Sequence, residues 1–156
     1  MARDSFRSIA HAQAEYARCI DDDRLEAWPD FFSESCVYKI TTAENWREGL
    51  EAGIIFANSR DMLRDRVSAL REANIYERQS YRHIMGQPYI LSEDGAELRS
   101  ETAFLVVRIV QDGETQIYAT GRYLDTYAIS GDSAQLKERI VVCDSSRIDT
   151  LLAIPL

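Results

Sequence analysis

The stretch Phe104-Leu105-Val106-Val107-Arg108-Ile109-Val110, followed by Asp112-Gly113, decides the fold that the sequence predicts. Branched and aromatic side chains favour strands, and an Asp-Gly pair favours the positive φ of a hairpin turn. Two more turn sequences, Asp94-Gly95 and Ser130-Gly131-Asp132, lie on either side of this stretch. The region from Tyr81 to Asp144 is therefore predicted to form four consecutive antiparallel strands joined by three turns.

Two helices are predicted ahead of the first strand. Residues 4–20 carry apolar side chains at spacings of three, four or seven, which is typical of an amphipathic helix, with Asp4 as its N-cap. Asp23 is predicted to cap the second helix, because Glu26 three residues later completes a capping box. Pro29 is expected to kink or break that second helix.

The sequence between the second helix and the meander predicts one strand and one further helix. Cys36–Thr42 alternates in a way that is typical of a short strand. Ala43–Gly53 favours at most one helical turn, and Ile54–Ala57 is an apolar run too short to assign. Ser59–Asn74 is the clearest helix, because Ser59 is a good N-cap and apolar side chains follow at i, i+4 and i+7.

The order of these elements predicts the fold class. Helices followed by an antiparallel meander make an α+β domain, and we expect residues 1–156 to form a single one. N-terminal helices packed on a curved, mostly antiparallel sheet give a cone. The concave face of that cone is a cavity, a partner surface or a filled core, and the sequence pattern leaves all three open.

Composition and charge exclude several classes of protein. The net charge of −8 argues against nucleic-acid and anionic-membrane partners, which need a basic face. No run of 18 apolar residues could span a membrane, and residues 1–10 lack the apolar region of a signal peptide, so we expect a cytoplasmic protein. The widely spaced Cys19, Cys36 and Cys143 favour reduced, buried thiols over a disulfide framework.

Residues that could hold a metal ion are sparse in the sequence. The two histidines, His11 and His83, lie far apart, and neither belongs to a local ligand motif. The sequence also lacks the paired Cys-x-His segments of a Rieske cluster. We therefore predict no metal-binding residue in this chain.

An acid–base site on the concave face of the cone is the alternative. His83 or Asp125 would be the acid or base, with Tyr123 and Tyr127 as hydrogen-bond partners. Strand periodicity places six residues on one face, namely Ile117, Ala119, Gly121, Tyr123, Asp125 and Tyr127. A simpler interpretation of Asp125 is a carboxylate at an edge or strand end that pairs with an arginine.

Two segments are candidates for protein interfaces. Six arginines interleaved with acidic residues fall between Arg60 and Arg82, and they indicate either a salt-bridged helix surface or an interface. The tail Asp149–Leu156 is apolar to its last residue, so it should be buried against its own sheet or a neighbouring subunit.

Longer segments of the sequence resemble a known family. The segments that carry the resemblance are Glu26–Phe32, Asp61–Arg66, Leu70–Arg78, Tyr81–Ile84, Cys143–Ser145 and Asp149–Leu156. On these residues, and over almost its whole length, the chain resembles the small (β) subunit of the aromatic-ring-hydroxylating dioxygenases. Within that family the resemblance is strongest to the branch that acts on terephthalate.

This resemblance implies a cystatin-like fold, similar to nuclear transport factor 2 (NTF2), which agrees with the cone. It implies a non-catalytic structural subunit, since the large (α) subunit of the family holds the Rieske [2Fe-2S] cluster and the mononuclear Fe(II). The implied partners are that large subunit and further copies of this chain, in an α3β3 hexamer.

The activity that the resemblance implies belongs to the whole assembly. That activity is cis-dihydroxylation of terephthalate in aromatic catabolism, with dioxygen and with electrons from NADH through a separate reductase. No catalytic, cofactor-binding or metal-binding residue is carried over to this chain. The alternative is a free-standing NTF2-like dehydratase or isomerase that uses His83 and Asp125.

Overall fold

The computed structural model describes residues 2–51, 53–73, 79–147 and 154–156 of the chain. Its elements in chain order are α1 (Ala2–Asp21), a 3-10 helix (Leu25–Phe31), β1 (Phe32–Thr42), α2 (Ala43–Arg47), β2 (Ile55–Ala57), α3 (Arg60–Ala73), β3 (Gln79–Met85), β4 (Tyr89–Asp94), β5 (Glu97–Val110), β6 (Thr115–Ser130) and β7 (Ser133–Cys143).

The strands of this described part form one mostly antiparallel sheet. Its order is β2-β1-β7-β6-β5-β3, and β4 pairs with a separate part of β5. The β1–β7 pair is parallel, and the other described pairs are antiparallel. Helices α1 and α3 pack on one face of the sheet, which we call the inner face; the opposite face is the outer face. The arrangement confirms the predicted α+β class, with helices on a mostly antiparallel sheet.

The three predicted turns of the meander are confirmed, but its first strand is not continuous. Gly95, Gly113 and Gly131 all have positive φ, as hairpin turns require. The segment predicted as one strand is divided into β3 and β4, because the chain leaves the ladder at Gly86–Pro88. Pro88 has no backbone N–H to donate to a neighbouring strand, which explains the interruption. Five strands therefore replace the four that the sequence predicted.

The predicted starts of the first two helices are wrong. Helix α1 begins at Ala2, so Asp4 lies in its first turn and is not the N-cap. Asp23 has a φ of 60° and does not cap a second α-helix; a 3-10 helix forms there with no side-chain cap. The Asp23 and Glu26 carboxylates instead bind the Arg71 guanidinium of α3, at 2.9 and 2.7 Å. Both residues of the predicted capping box thus form long-range ion pairs with Arg71 instead of capping a helix.

The middle of the chain confirms most of its predicted elements. Strand β1 contains the predicted Cys36–Thr42 but begins earlier, at Phe32, because Phe32 pairs with Leu136 of β7 across an irregularity in the ladder. The predicted helical turn is α2, and the unassigned apolar run contains β2. Ser59 caps α3, since its Oγ accepts the Met62 N–H at 3.2 Å.

A β-bulge corrects the predicted inner face of β6. Val106 of β5 pairs with Ala119, and Val107 pairs with Ile117, so Tyr118 is an extra residue. On the N-terminal side of the bulge, the alternation of inward-facing and outward-facing side chains is reversed. Ile117, which was predicted to face inward, is therefore 74% exposed. From Gly121 to Tyr127 the predicted face is confirmed, because every second residue in that range is buried.

Strands β6 and β7 approach each other closely at Gly121. Gly121 lies opposite Cys143, and an added Cβ would overlap the Val142 carbonyl oxygen and lie 3.0 Å from the Cys143 Cα. By contrast, a Cβ at Gly86 would meet its nearest neighbour, the Ala103 carbonyl oxygen, at an ordinary 3.5 Å. The absence of a side chain at Gly121 therefore allows this pairing.

We predict that Gly121→Ala lowers the free energy of unfolding by about 1–3 kcal/mol, because two backbones would have to separate around the new methyl group. Urea denaturation measures this change. Gly86→Ala is the matched control and should be close to neutral. Equal effects of the two substitutions would contradict the close approach of β6 and β7.

Candidate functional site

A buried ion pair lies at the centre of the inner face. Asp125 of β6 and Arg139 of β7 are paired across the two strands. The Nε and Nη2 groups of Arg139 donate to the two carboxylate oxygens of Asp125, both at 2.8 Å, and neither side chain is exposed. Arg139 Nη2 also lies 3.3 Å from Tyr127 Oη, to which it donates. Asp125 is thus the arginine-paired carboxylate of the simpler interpretation, in the middle of the sheet and not at its edge.

A second β-bulge places Arg139 in this position. The ladder between β6 and β7 shifts register between Thr126 and Tyr127, and the shift leaves Lys137 without a partner across the ladder. Leu136 and Arg139 are therefore both buried although they are three residues apart, while Lys137 is exposed. Without the bulge, Asp125 would face the acidic Glu138.

Aromatic rings enclose the guanidinium group of Arg139. Its Cζ lies 4.3 Å from the centre of the Tyr16 ring and 4.0 Å from that of Tyr123, one ring from α1 and one from β6. Burial alone would lower the pKa of Arg139, but the Asp125 carboxylate outweighs it and holds that pKa above its ordinary value. Arg139 is therefore a permanent cation that is neutralised inside the protein.

Four buried tyrosines of the core are neutral phenols. Burial raises the pKa of each phenol above its ordinary value, for Tyr16, Tyr38, Tyr123 and Tyr127. None of them is a candidate base at neutral pH.

His83 does not join this cluster. Its buried ring Nδ1 lies 2.7 Å from Asp21 Oδ1 at the end of α1, and its backbone N–H donates to Asp21 Oδ2 at 2.9 Å. Because an ionised carboxylate only accepts hydrogen bonds, Nδ1 carries the proton. These two bonds fasten α1 to β3.

The structure therefore separates the members of the predicted acid–base site. His83 pairs with Val106 of β5, whereas Asp125 pairs with Ser100 of the same strand. These two positions are six residues apart along β5, which corresponds to about 20 Å of extended chain. The combination of His83 with Asp125 is thus wrong, while Tyr123 and Tyr127 do lie beside Asp125.

Metal-ligand groups are also dispersed in the described part of the chain. His11 is exposed on α1, and the thiols of Cys19, Cys36 and Cys143 are buried and free. No group of three or more His, Cys, Asp or Glu residues among the described positions could hold a metal ion. These residues do not fit an iron centre or an iron–sulfur cluster.

The arginines after β2 mostly make contacts within the chain. Arg60 donates to the Phe32 carbonyl oxygen from Nη2 at 2.6 Å, and Arg64 binds Asp61 at 3.1 Å. With the Arg71 contacts described above, this part is a salt-bridged surface. Arg78 lies outside the described residues.

The end of the predicted tail packs on its own chain. Ile154, Pro155 and Leu156 are all buried, and the main-chain oxygen of Leu156 accepts hydrogen bonds from Tyr16 and Tyr38. These three residues are not an exposed interface, and residues 149–153 lie outside the described part. Of the two locations predicted for this tail, the chain's own core is thus the one found for its described end.

Sequence reasoning missed Arg139 and the hydrogen bonds that Tyr16 and Tyr38 make to Leu156. Arg139 stands in an alternating strand at a position that simple hairpin counting assigns to the opposite face. Tyr16 and Tyr38 follow the predicted inner faces of α1 and β1, so their burial was predictable. Their shared partner, Leu156, lies more than 115 residues away, and no local pattern indicates it.

Comparison with known proteins supplies a family. A family model described as the ring hydroxylating beta subunit matches residues 15–150. The β 1 subunit of the terminal oxygenase component of terephthalate 1,2-dioxygenase from Comamonas sp. is 51% identical, over 95% of this chain and 96% of that protein. The small subunit of anthranilate 1,2-dioxygenase from Burkholderia cepacia is 41% identical, over 92% and 89% of the two chains.

A solved structure agrees with these sequence matches. The crystal structure of a β subunit from Novosphingobium aromaticivorans, assigned to an aromatic-ring-hydroxylating dioxygenase, superposes with a TM-score of 0.92 and 39% identity. The match covers 99% of both chains. The expected fold is confirmed.

We predict that Asp125→Asn lowers the free energy of unfolding by about 3–5 kcal/mol, because it leaves the buried charge of Arg139 without a counter-ion. The double variant Asp125→Leu/Arg139→Met should recover part of this loss. Thermal and urea denaturation measure both effects.

The exposed ion pair between Glu97 and Lys137, at 2.7 Å, provides the matched control. Glu97→Gln should leave the free energy of unfolding unchanged, since the side chains of Glu97 and Lys137 are both half exposed and water solvates them. If Asp125→Asn cost no more than Glu97→Gln, the Asp125–Arg139 pair would not hold the core.

Proposed function

The chain belongs to the family of ring-hydroxylating β subunits, and from this premise we propose that it is the non-catalytic small subunit of a terephthalate-type aromatic-ring dioxygenase. The observation that carries the proposal is 51% identity to such a subunit over almost the full length of both chains. In this role the chain supports a large catalytic subunit. Residues 1–156 act as one domain, and we place the assembly in the cytoplasm.

The inner face supports a structural role. Its central acid, Asp125, is neutralised by Arg139, and its histidine, His83, is bound to Asp21. The Arg139 pairing removes Asp125 as an acid or base toward a substrate on that face, and Asp21 holds the His83 ring through Nδ1. The family match makes the free-standing dehydratase or isomerase the weaker interpretation.

The redox groups belong to the large subunit in this proposal. The described residues of this chain offer no ligand set for them. The large subunit would hold a Rieske [2Fe-2S] cluster and a mononuclear Fe(II), and a separate reductase would deliver electrons from NADH. The oxygenase as a whole would add dioxygen to the ring of terephthalate to give a cis-dihydrodiol.

The two relatives also indicate a class of substrate. One is part of a terephthalate dioxygenase and the other of an anthranilate dioxygenase. Both substrates are aromatic carboxylates, which supports an aromatic carboxylate as the substrate of the assembled enzyme. We propose terephthalate on the higher identity.

The outer face of the sheet is the proposed contact surface in an α3β3 hexamer. Its rim carries exposed apolar side chains, notably Ile84, Tyr89 and Leu91 on β3 and β4. A groove of about 240 Å³ runs between Leu91 and Trp46 of α2. Exposed apolar groups around a groove are typical of protein interfaces.

No described helix is long and apolar enough to cross a membrane.

Co-expression with a terephthalate dioxygenase large subunit tests the proposal. We expect one complex on a sizing column, with equal numbers of both chains and a mass of six subunits, and with oxygenase activity that depends on this chain. A large subunit that formed an active trimer whether or not this chain was present would contradict the proposal.

Two surface variants locate the contact in the same experiment. Leu91→Glu places a charge on the outer face and should reduce the yield of hexamer several-fold. Met62→Glu on α3 is the matched control, since Met62 is similarly apolar and 39% exposed but lies in the Arg60–Arg82 region. If Met62→Glu reduced the yield of hexamer and Leu91→Glu did not, the interface would lie on α3, which would contradict the outer-face assignment.

A further inference from the structure

The groove on the outer face crosses the middle of the sheet. It has a volume of about 240 Å³ and lies between Leu91 of β4 and Trp46 of α2. Its lining includes the apolar side chains of Leu124 on β6 and Ile140 on β7. Strand β4 pairs with β5, whereas α2 packs against β1 and β7. The two apolar walls of the groove therefore lie on opposite sides of β6.

Two charged side chains of this groove, Arg99 and Glu138, are left without a counter-ion by the described residues. Arg99 is exposed on β5 and Glu138 is half-buried on β7, and neither makes an ion pair or a side-chain hydrogen bond with a described residue. The acids two residues before and after Arg99 are already paired, namely Glu97 with Lys137 and Glu101 with Arg122. The groove therefore offers one cation and one anion to a partner.

The register of the sheet places these two charges symmetrically about β6. Arg99 lies directly opposite Thr126 on one side, and Glu138 lies directly opposite Thr126 on the other. Since neighbouring strands are about 4.8 Å apart, the backbones of Arg99 and Glu138 are about 10 Å apart, with Thr126 midway. Two identical surfaces can use this arrangement, because a two-fold axis exchanges the two sides of each.

A two-fold axis along β6 matches unlike charges across the contact. A second copy, turned about this axis and set face to face with the first, exchanges the β5 side of the groove with its β7 side. Arg99 of each copy then lies over Glu138 of the other, which gives two identical ion pairs. Leu91 of each copy likewise meets Trp46 of the other, and Leu124 on β6 meets its own equivalent.

A two-fold axis across the strands does not give this match. Such an axis through Thr126 places Arg99 over its own equivalent and Glu138 over its own equivalent. Like charges in contact repel, and their juxtaposition opposes binding. The register therefore selects the axis that runs along β6.

The outer face is also large enough for a stable contact. From β4 to β1 it spans four strand spacings, or about 19 Å, and the 11 residues of β7 are about 37 Å long. These dimensions enclose about 700 Å², which is close to the roughly 800 Å² per partner that specific interfaces bury.

We propose that the outer face of the free chain binds a second copy of this chain across a two-fold axis along β6. Each copy contributes Arg99 and Glu138 to two reciprocal ion pairs, and Leu91 and Trp46 to the apolar contact around them. This inference goes beyond the proposed function, because it concerns the chain without its large subunit. The hexamer is proposed to use the same face, so the dimer must open before the hexamer forms.

Sedimentation of the full-length chain without a large subunit measures its mass in solution. We expect a reversible equilibrium between one chain and two chains, with the dimer predominant at about 100 μM. A chain that is monomeric at this concentration, or one that forms trimers, would overturn the proposal.

Charge reversal tests the ion pairs of this dimer. Arg99→Glu brings acids together at both symmetric positions and Glu138→Arg brings cations together, so each should weaken the dimer at least about tenfold. One substitution raises and the other lowers the net negative charge of the chain, so general repulsion between copies cannot produce both losses. Arg66→Glu is the matched control, since Arg66 is exposed on α3 and the net charge changes as in Arg99→Glu. It should leave the dimer unchanged.

An equimolar mixture of the Arg99→Glu and Glu138→Arg variants tests whether the ion pairs are reciprocal. In a mixed dimer an acid meets an arginine at both positions, so the dimer should re-form with about the affinity of the unsubstituted chain. Dimers that survive both substitutions would overturn the proposal. So would a mixture that stays monomeric although both variants keep the near-ultraviolet circular dichroism of the unsubstituted chain.

Milder variants decide the outcome if a charge reversal does not fold. Arg99→Gln and Glu138→Gln each remove both ion pairs without bringing like charges together. Each should weaken the dimer several-fold, and an unchanged dimer in both would overturn the proposal.

Assembly with the large subunit is measured on the same samples. An unsubstituted chain that is monomeric alone and still assembles counts against the two-fold contact only. A chain that forms the dimer alone and does not assemble counts against the proposed function only.

Discussion

The rest of the structure depends on the ion pair between Arg139 and Asp125. A charge that is removed from water costs several kcal/mol unless a partner and hydrogen bonds compensate it. Arg139 satisfies this condition only when β6, β7 and α1 are all in place, because they supply Asp125, Arg139 itself and the Tyr16 ring. The same Tyr16 also binds Leu156, so the pair is linked to the end of the described chain. One buried charge thus fixes the relative positions of helix, sheet and tail.

This constraint also explains how the protein works in the proposed assembly. On the inner face Asp125 is paired with Arg139, the His83 ring is held through Nδ1 by Asp21, and Tyr16 and Tyr38 bind Leu156. In the proposed assembly, the chain contacts other molecules through its surface. The chain belongs to the ring-hydroxylating β-subunit family, and in the proposed function it supports a large subunit that carries out the reaction.

Sequence reasoning succeeded where the physics is local and failed where it is not. The turns at Gly95, Gly113 and Gly131 were predictable, because positive φ is a property of the residue itself. Counting back from the last turn pairs Asp125 with Glu138, and only the bulge at Lys137 brings Arg139 opposite. The capping box at Asp23 failed for the same reason, since a distant arginine competed for its carboxylates. The family itself was readable from the sequence, but the internal partners of its residues were not.

Turnover by the assembled oxygenase with His83→Gln in this chain tests the central claim most directly. Glutamine can still donate to Asp21 but cannot act as an acid or base, so the substitution separates position from chemistry. The account predicts an unchanged turnover per assembled large subunit, with hexamer formation confirmed by sizing. A large loss of turnover in a fully assembled enzyme would show that this chain takes part in the chemistry and would contradict the account.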